Sequence, residues 1–389
     1  MAASQRSYLD YNATAPMRPE VATEMARVFL LPGNASSVHA EGRAARAEME
    51  TARERVAALV GALPKNVIFT SGGTEANNLV LSPSFRHAGK AGAGLLLVGA
   101  TEHPSVLAGH RFAPEAVERI PVNAQGTVDL TWLKARLEAA EGPVLVSVQV
   151  ANNETGVLQP IAAIAALVRE HGGYVHADAV QAAGKVTLDI GELGVDALTL
   201  SAHKIGGPKG TGAVILASDR IEIADRLIRG GGQERGYRAG TENVAAIAGF
   251  GVAAQIAKAN LSEEAERLRS LRDEAEARLL QILPEVVVFG AGTERLPNTL
   301  AFAIPGVKAE TALIAFDMGG VALSSGSACS SGKVKRSHVL DAMSVEPALA
   351  EGALRVSLGW MTTKEDVARF AETCERLVET LYKRKANAA

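Results

Sequence analysis

The chain has 389 residues, of which 47% are hydrophobic and 21% charged, and its formal net charge is -3. That length buries a sizeable core and suits one large domain with a smaller one beside it. The near-neutral balance excludes a broad electrostatic pull toward nucleic acid or an anionic membrane, and no run is long and apolar enough to span a bilayer.

Residues 1–7 lack the apolar core of a secretory signal. Helical spacing of Ala44, Ala47, Val56, Leu59 and Val60 then predicts a helix over 41–61. Strands are predicted at 67–70, 95–98, 144–148, 174–176, 197–200 and 213–216, with helices at 74–81, 131–140 and 160–171 between them. The strands read as near-continuous apolar runs rather than alternating ones, which favours a mostly parallel sheet covered on both faces. The pattern changes near residue 245. A long amphipathic helix is expected over 244–282, broken near Asn260-Leu261-Ser262, with Ser262 capping its second half and Leu268, Leu271, Leu279 and Ile282 facing inward. Shorter elements follow at 286–289, 298–304, 309–317 and 354–358. A closing helix starts near Thr363, with Asp366 at the capping-box position. The second half therefore reads as a smaller α+β unit.

Chemistry concentrates where predicted strands end. Lys204, in the run Ser201-Ala202-His203-Lys204, follows one apolar strand, and Asp178 closes another. A lysine and an aspartate at neighbouring strand ends form the layout that pyridoxal phosphate needs. The amine condenses with the cofactor aldehyde, and the carboxylate keeps the ring nitrogen protonated. The Gly/Ser/Thr run 70–78 is either a phosphate cradle at a helix start or an ordinary glycine turn. His103 is either a ring-stacking or proton-relaying group or a structural histidine. Asn152 and Asn153 either bond a cofactor oxygen or make an Asx-turn, and Gln181 lies one helical turn from Asp178. In open parallel sheets the carboxyl edge of the strands is where ligands bind. The glycine-rich stretch 230–243 either shapes the site, crosses to another subunit, or is a surface loop.

Two cysteines make no disulfide framework, and a reducing cytoplasm is the expected location. Cys329 lies in a Ser/Gly loop, with Lys333, Lys335 and Arg336 close by to favour its thiolate. Cys374 sits on a helical pattern with Phe370, Leu377 and Leu381 and reads as core. Arg355 lies inside an apolar strand, where its fork suits either a substrate carboxylate or a structural ion pair.

Together these runs resemble the cysteine desulfurases of the NifS/IscS type, in the class V aminotransferase group. The resemblance covers nearly the whole chain, through residues 8–16, 70–78, 101–103, 152–156, 176–181, 201–210, 230–243, 324–329 and 355–359. It implies a fold-type-I architecture, an α/β large domain with a mostly parallel central sheet plus a smaller α+β domain. The expected division is 14–250 for the large domain, with 1–13 and 251–389 in the small one. It also implies roles. Lys204 carries pyridoxal 5'-phosphate, Asp178 pairs with the ring nitrogen, and His103 stacks on the ring and assists Lys204 in proton transfer. Gln181 and Asn153 contact the ring oxygen. Gly73, Thr74, Ser201 and His203 bind the phosphate, and Thr241 reaches the phosphate of a second subunit in a homodimer. Asn34 and Arg355 hold the substrate carboxylate, and Cys329 accepts the sulfur. No metal, nucleic acid or membrane is implied.

The implied reaction turns L-cysteine into L-alanine and a Cys329 persulfide, for delivery to a sulfur-acceptor or scaffold protein. Selenocysteine lyase activity, transamination, or a non-catalytic sulfur-transfer scaffold are the alternatives. The chain departs from the family at Ala35, where a proline is common, and at Tyr237.

Overall fold

The computed structural model describes residues 6–325 and 336–388, with side chains described up to residue 380. The central element is a seven-stranded sheet. In chain order its strands are β1 (Val67–Thr70), β2 (Leu95–Gly99), β3 (Val117–Ile120), β4 (Val144–Ser147), β5 (Tyr174–Asp178), β6 (Ala197–Ser201) and β7 (Gly212–Leu216). Their spatial order is β1-β7-β6-β5-β4-β2-β3. All neighbouring pairs are parallel except those of β7, which runs against both β1 and β6. Every residue of β1, β5, β6 and β7 is buried, as continuous apolar runs require when helices cover both faces. Two core clusters fill those faces, one around Val56, Val146, Leu198 and Phe250, the other around Leu79, Phe85, Leu96 and Val214.

A second, four-stranded antiparallel sheet holds Val287–Val288, Thr299–Ala303, Ala353–Ser357 and Ser324–Ser325, in that spatial order. Helices Leu261–Ile282, Ala309–Met318 and Lys364–Ala388 cover it, with Leu268, Leu271, Leu279, Phe302, Phe316 and Phe370 in its core. Cys374 is fully buried in that cluster, and burial raises its thiol pKa out of the nucleophilic range. The expected capping box is present. Thr363 N–H donates to Asp366 Oδ2 at 2.9 Å, and Asp366 N–H donates back to Thr363 Oγ1 at 3.4 Å.

The break in the long helix needs a correction. Helix Val244–Ala259 and helix Leu261–Ile282 meet at 72°. Ser262 lies inside the second helix, and Asn260 occupies the cap position with no side-chain capping bond. Asn260 N–H still bonds Ile256 O at 3.1 Å while Asn260 O accepts Glu264 N–H at 2.9 Å. One residue thus ends the first helix and starts the second, so no separate capping residue has a place.

The first described residues tie the two sheets together. Ser7–Tyr8 pairs in parallel with Val321–Ala322. Asn12 then bonds Ser357 Oγ at 2.9 Å through its backbone N–H and Thr299 Oγ1 at 2.9 Å through its side chain.

Candidate active site

A cavity of about 210 Å³ opens at the carboxyl edge of the large sheet. Five strand ends feed it. β1 is followed by Gly73, Thr74 and Asn77, and β2 by His103 and Ser105. β4 leads to Gln149 and Asn153. β5 supplies Asp178 and leads to Gln181, and β6 supplies Ser201 and leads to His203 and Lys204. Nine of the sequence-predicted site residues therefore share one cavity wall, all of them at or beyond strand ends as the open-sheet rule requires.

The wall has the shape of an anion cradle on one side. Helix Gly73–Val80 begins at Gly72 with no side-chain cap, so its first-turn N–H groups face the cavity mouth. Gly73 has no spare room, because a Cβ there would stand 2.8 Å from Val180 Cγ2. His203 Nδ1 lies 3.1 Å from Thr14 Oγ1. Burial, reinforced by the Lys204 charge, pushes the His203 pKa down to about 4 and keeps it neutral.

Lys204 closes a single 3-10 turn, Ala202–Lys204, directly after β6. Its Nζ donates to Asn12 O at 2.5 Å and to Ala13 O at 2.9 Å. Across the cavity Asp178 accepts Val180 N–H at 2.9 Å on Oδ1 and Asn77 Nδ2–H at 2.8 Å on Oδ2. His103 caps its own short helix, Pro104–Leu107, with Nδ1 accepting Ser105 N–H at 3.1 Å. Burial lowers its pKa, the nearby Asp178 opposes that, and Lys204 and His338 add to it. Gln181 donates to Asn12 O at 3.0 Å and accepts from Lys185 Nζ at 3.1 Å.

The remaining predicted residues lie elsewhere. Arg355 sits just behind the wall, with Nη1 donating to Asn153 O at 2.8 Å. Its Nε is buried with no hydrogen-bond partner among the described residues. Asn34 is exposed and makes an Asx-turn with Ser36 N–H at 2.8 Å, and Thr241 is exposed on the glycine-rich stretch. Neither lines the cavity. Cys329, with Lys333 and Lys335, lies outside the described residues.

Sequence reading missed Asn77, Ser105, Gln149 and Lys185. Asn77 had a signal, since a residue one helical turn beyond Gly73 and Thr74 shares their face. Lys185 had none, because a single lysine between small and apolar neighbours reads as a solvated turn residue. It is buried instead, donating to Gln181 O at 2.8 Å, and burial pushes its pKa down to about 7. Glu154 is likewise buried, accepts Ser337 Oγ–H at 2.5 Å, and titrates at about 7 because burial disfavours its charge.

The chain is 40% identical over 387 residues to "Cysteine desulfurase IscS" of Dictyoglomus turgidum, covering 96% of this chain and 95% of that one. Residues 7–370 match the family described as Aminotransferase class-V. The chain belongs to the class-V aminotransferases, in their cysteine desulfurase branch. Among solved structures of this class, the NifS-like protein from Rickettsia africae superposes with a TM-score of 0.88 at 36% identity, covering 96% of this chain and all (100%) of that one. "SspA in complex with cysteine" superposes with a TM-score of 0.75 at 28% identity, covering 90% of this chain and 98% of that one. The class-V sheet, with its inverted β7, is thus the scaffold that gathers the cavity residues.

Proposed function

We propose that this chain is a pyridoxal phosphate-dependent cysteine desulfurase that converts L-cysteine to L-alanine and leaves the sulfur as a persulfide on Cys329. The carrying observation is that Lys204 and Asp178 line one cavity from adjacent strand ends. The cofactor fits the residues present. Gly73, Thr74, Ser201 and His203 would hold its phosphate, Asp178 its ring nitrogen, and Gln181 and Asn153 its ring oxygen. A buried Arg355 Nε without a partner among the described residues suits an anion, and the substrate carboxylate supplies one.

When bound, pyridoxal phosphate supplies an electron sink that acidifies the substrate Cα–H. Lys204 Nζ takes that proton and returns one as alanine forms. Arg355 orients the carboxylate, and His103 covers the ring face. The Cys329 thiolate attacks the substrate sulfur, the C–S bonding pair stays with carbon, and carbon gains a proton. L-cysteine plus a thiol becomes L-alanine plus a persulfide, with no net oxidant. The persulfide then passes to an acceptor protein.

A homodimer completes this reading. Thr241 and Asn34 lie away from their own chain's cavity, while Phe29 and Leu30 are exposed beside the contact between helix Pro19–Phe29 and the start of helix Val244–Ala259. A second copy covering that face would gain apolar burial and bring Thr241 to the neighbouring site.

The test is incubation with L-cysteine, with alanine measured and added sulfur mass located on the peptide containing Cys329. Cys329→Ser is expected to keep the cofactor absorbance and lose ~100-fold or more of alanine formation, the scale of removing a nucleophile. Undiminished turnover in that variant would instead mean selenocysteine lyase chemistry or transamination.

A further inference from the structure

We infer that Asn77 is a positioning residue, whose amide holds the Asp178 carboxylate and, through Ser105, sets which nitrogen of His103 carries the proton. Its bearing on the cofactor rests on the function proposed above, but the network itself does not.

Asn77 is 1% exposed, and every polar atom of its side chain is engaged. Oδ1 accepts the Thr199 hydroxyl proton at 2.6 Å. Nδ2 donates one proton to Asp178 Oδ2 at 2.8 Å and the other to Ser105 Oγ at 2.9 Å. The opposite amide orientation would face Oδ1 toward a carboxylate, so the pattern admits one assignment. The support continues behind it. Thr199 has spent its proton on Asn77, so His176 Nε2–H must donate to Thr199 Oγ1, at 3.1 Å. His176 Nδ1 then accepts from Ser147 Oγ at 2.9 Å. His176 is fully buried and stays neutral because burial holds its pKa down to about 4, which that directionality requires.

The consequence runs forward through Ser105. Its Oγ accepts from Asn77, so its own proton goes to His103 Nδ1, at 2.7 Å. The Ser105 backbone N–H points at the same nitrogen from 3.1 Å. Two donors on Nδ1 leave no room for a proton there, and neutral His103 carries its proton on Nε2. Asp178, Lys204 and His338 are the charged or titratable groups that act on this ring. Neutral His103 therefore offers the cavity an N–H donor and no lone pair. It can donate a hydrogen bond into the cavity but presents no base there, which leaves Cα deprotonation to Lys204.

The experiment uses protein labelled with ¹⁵N-histidine, first without cofactor or cysteine. Long-range ¹H–¹⁵N spectra should show His103 with an unprotonated Nδ1 and a protonated Nε2. The reverse tautomer overturns the inference whatever the enzyme's activity. Asn77→Asp keeps the side-chain size but turns a donor into an acceptor toward both Asp178 and Ser105. It should weaken pyridoxal phosphate binding, read by absorbance titration, by ~tenfold or more, the loss typical of a hydrogen bond to a charged group. It should also favour protonated His103 in the spectra. Ser105→Ala should perturb the His103 signals while cofactor affinity stays within about threefold, since Asn77 still holds Asp178. If Asn77→Asp does not fold, the unsubstituted tautomer and the Ser105→Ala pair still decide. Unchanged His103 signals in Ser105→Ala, or undiminished affinity in a folded Asn77→Asp, would refute the role.

Discussion

Asp10 and Arg355 are paired, Oδ1 to Nη2 at 2.7 Å, with the arginine 3% exposed. Asn153 O takes Nη1, so two sides of the guanidinium are fixed while Nε lacks a partner among the described residues. A pre-oriented fork with an unspent N–H is what carboxylate recognition asks for, and a lysine ammonium cannot reproduce it. Arg355→Lys is expected to raise KM for L-cysteine by ~10- to 100-fold, with the cofactor absorbance unchanged. Steady-state kinetics with an unaltered KM would contradict substrate binding at this residue.

Lys185 imposes a pH slope on stability. Its folded pKa is lowered from 10.5 to about 7, first by burial and then by the Lys204 and Arg355 charges. The folded state thus binds fewer protons than the unfolded chain between those values. Its contribution is most favourable above 10.5 and is lost as pH falls through about 7. The stability of the natural chain relative to Lys185→Met should rise with pH across that window, by at most ~1.4 kcal/mol per pH unit. Urea denaturation at several pH values checks this, and a flat difference would mean the amine keeps its charge on burial.

Glu154 should give the opposite slope. Burial raises its pKa from 4.5 to about 7, against the lowering effects of Ser337 and Arg355. The folded state binds more protons in that interval, so the contribution is fully present below 4.5 and lost as pH rises through about 7. Glu154→Gln should therefore gain relative to the natural chain between pH ~5 and ~8, by up to a few kcal/mol, in the same denaturation series.

Glu234 and Arg53 form a buried, two-bond pair at 2.8 Å on each bond, and Glu234 also accepts Phe69 N–H at 2.8 Å. Glu234 adopts φ 45°, an unusual conformation for a residue with a Cβ. Glu234→Ala would strand the Arg53 charge and the Phe69 N–H, at a cost of ~3–5 kcal/mol. Its denaturation midpoint should fall accordingly, and a shift under ~1 kcal/mol would show that water enters to replace the carboxylate.

Legibility in the sequence followed the strength of the local signal. The strand 67–70 and the helices near 40–59 and 161–170 are read closely, because continuous apolar runs and helical periods leave few alternatives. Val117–Ile120 escapes, since Val-Glu-Arg-Ile at a sheet edge needs no apolar run. The reversed direction of β7 also escapes, because a strand's side-chain pattern reads the same either way. Lys204, Asp178 and His103 announce themselves by position at strand ends. Asp10, Lys185 and Ser105 do not, since their roles depend on partners distant in sequence or on a backbone turn that no local pattern specifies.

Asn12 holds Lys204 through its carbonyl while leaning on Thr299 and Ser357. The anchor of the reactive amine is therefore made from segments that leave the ribosome at opposite ends of synthesis. The large sheet has all seven of its strands once residue 216 has emerged, yet the amine gains its final setting only after residue 357.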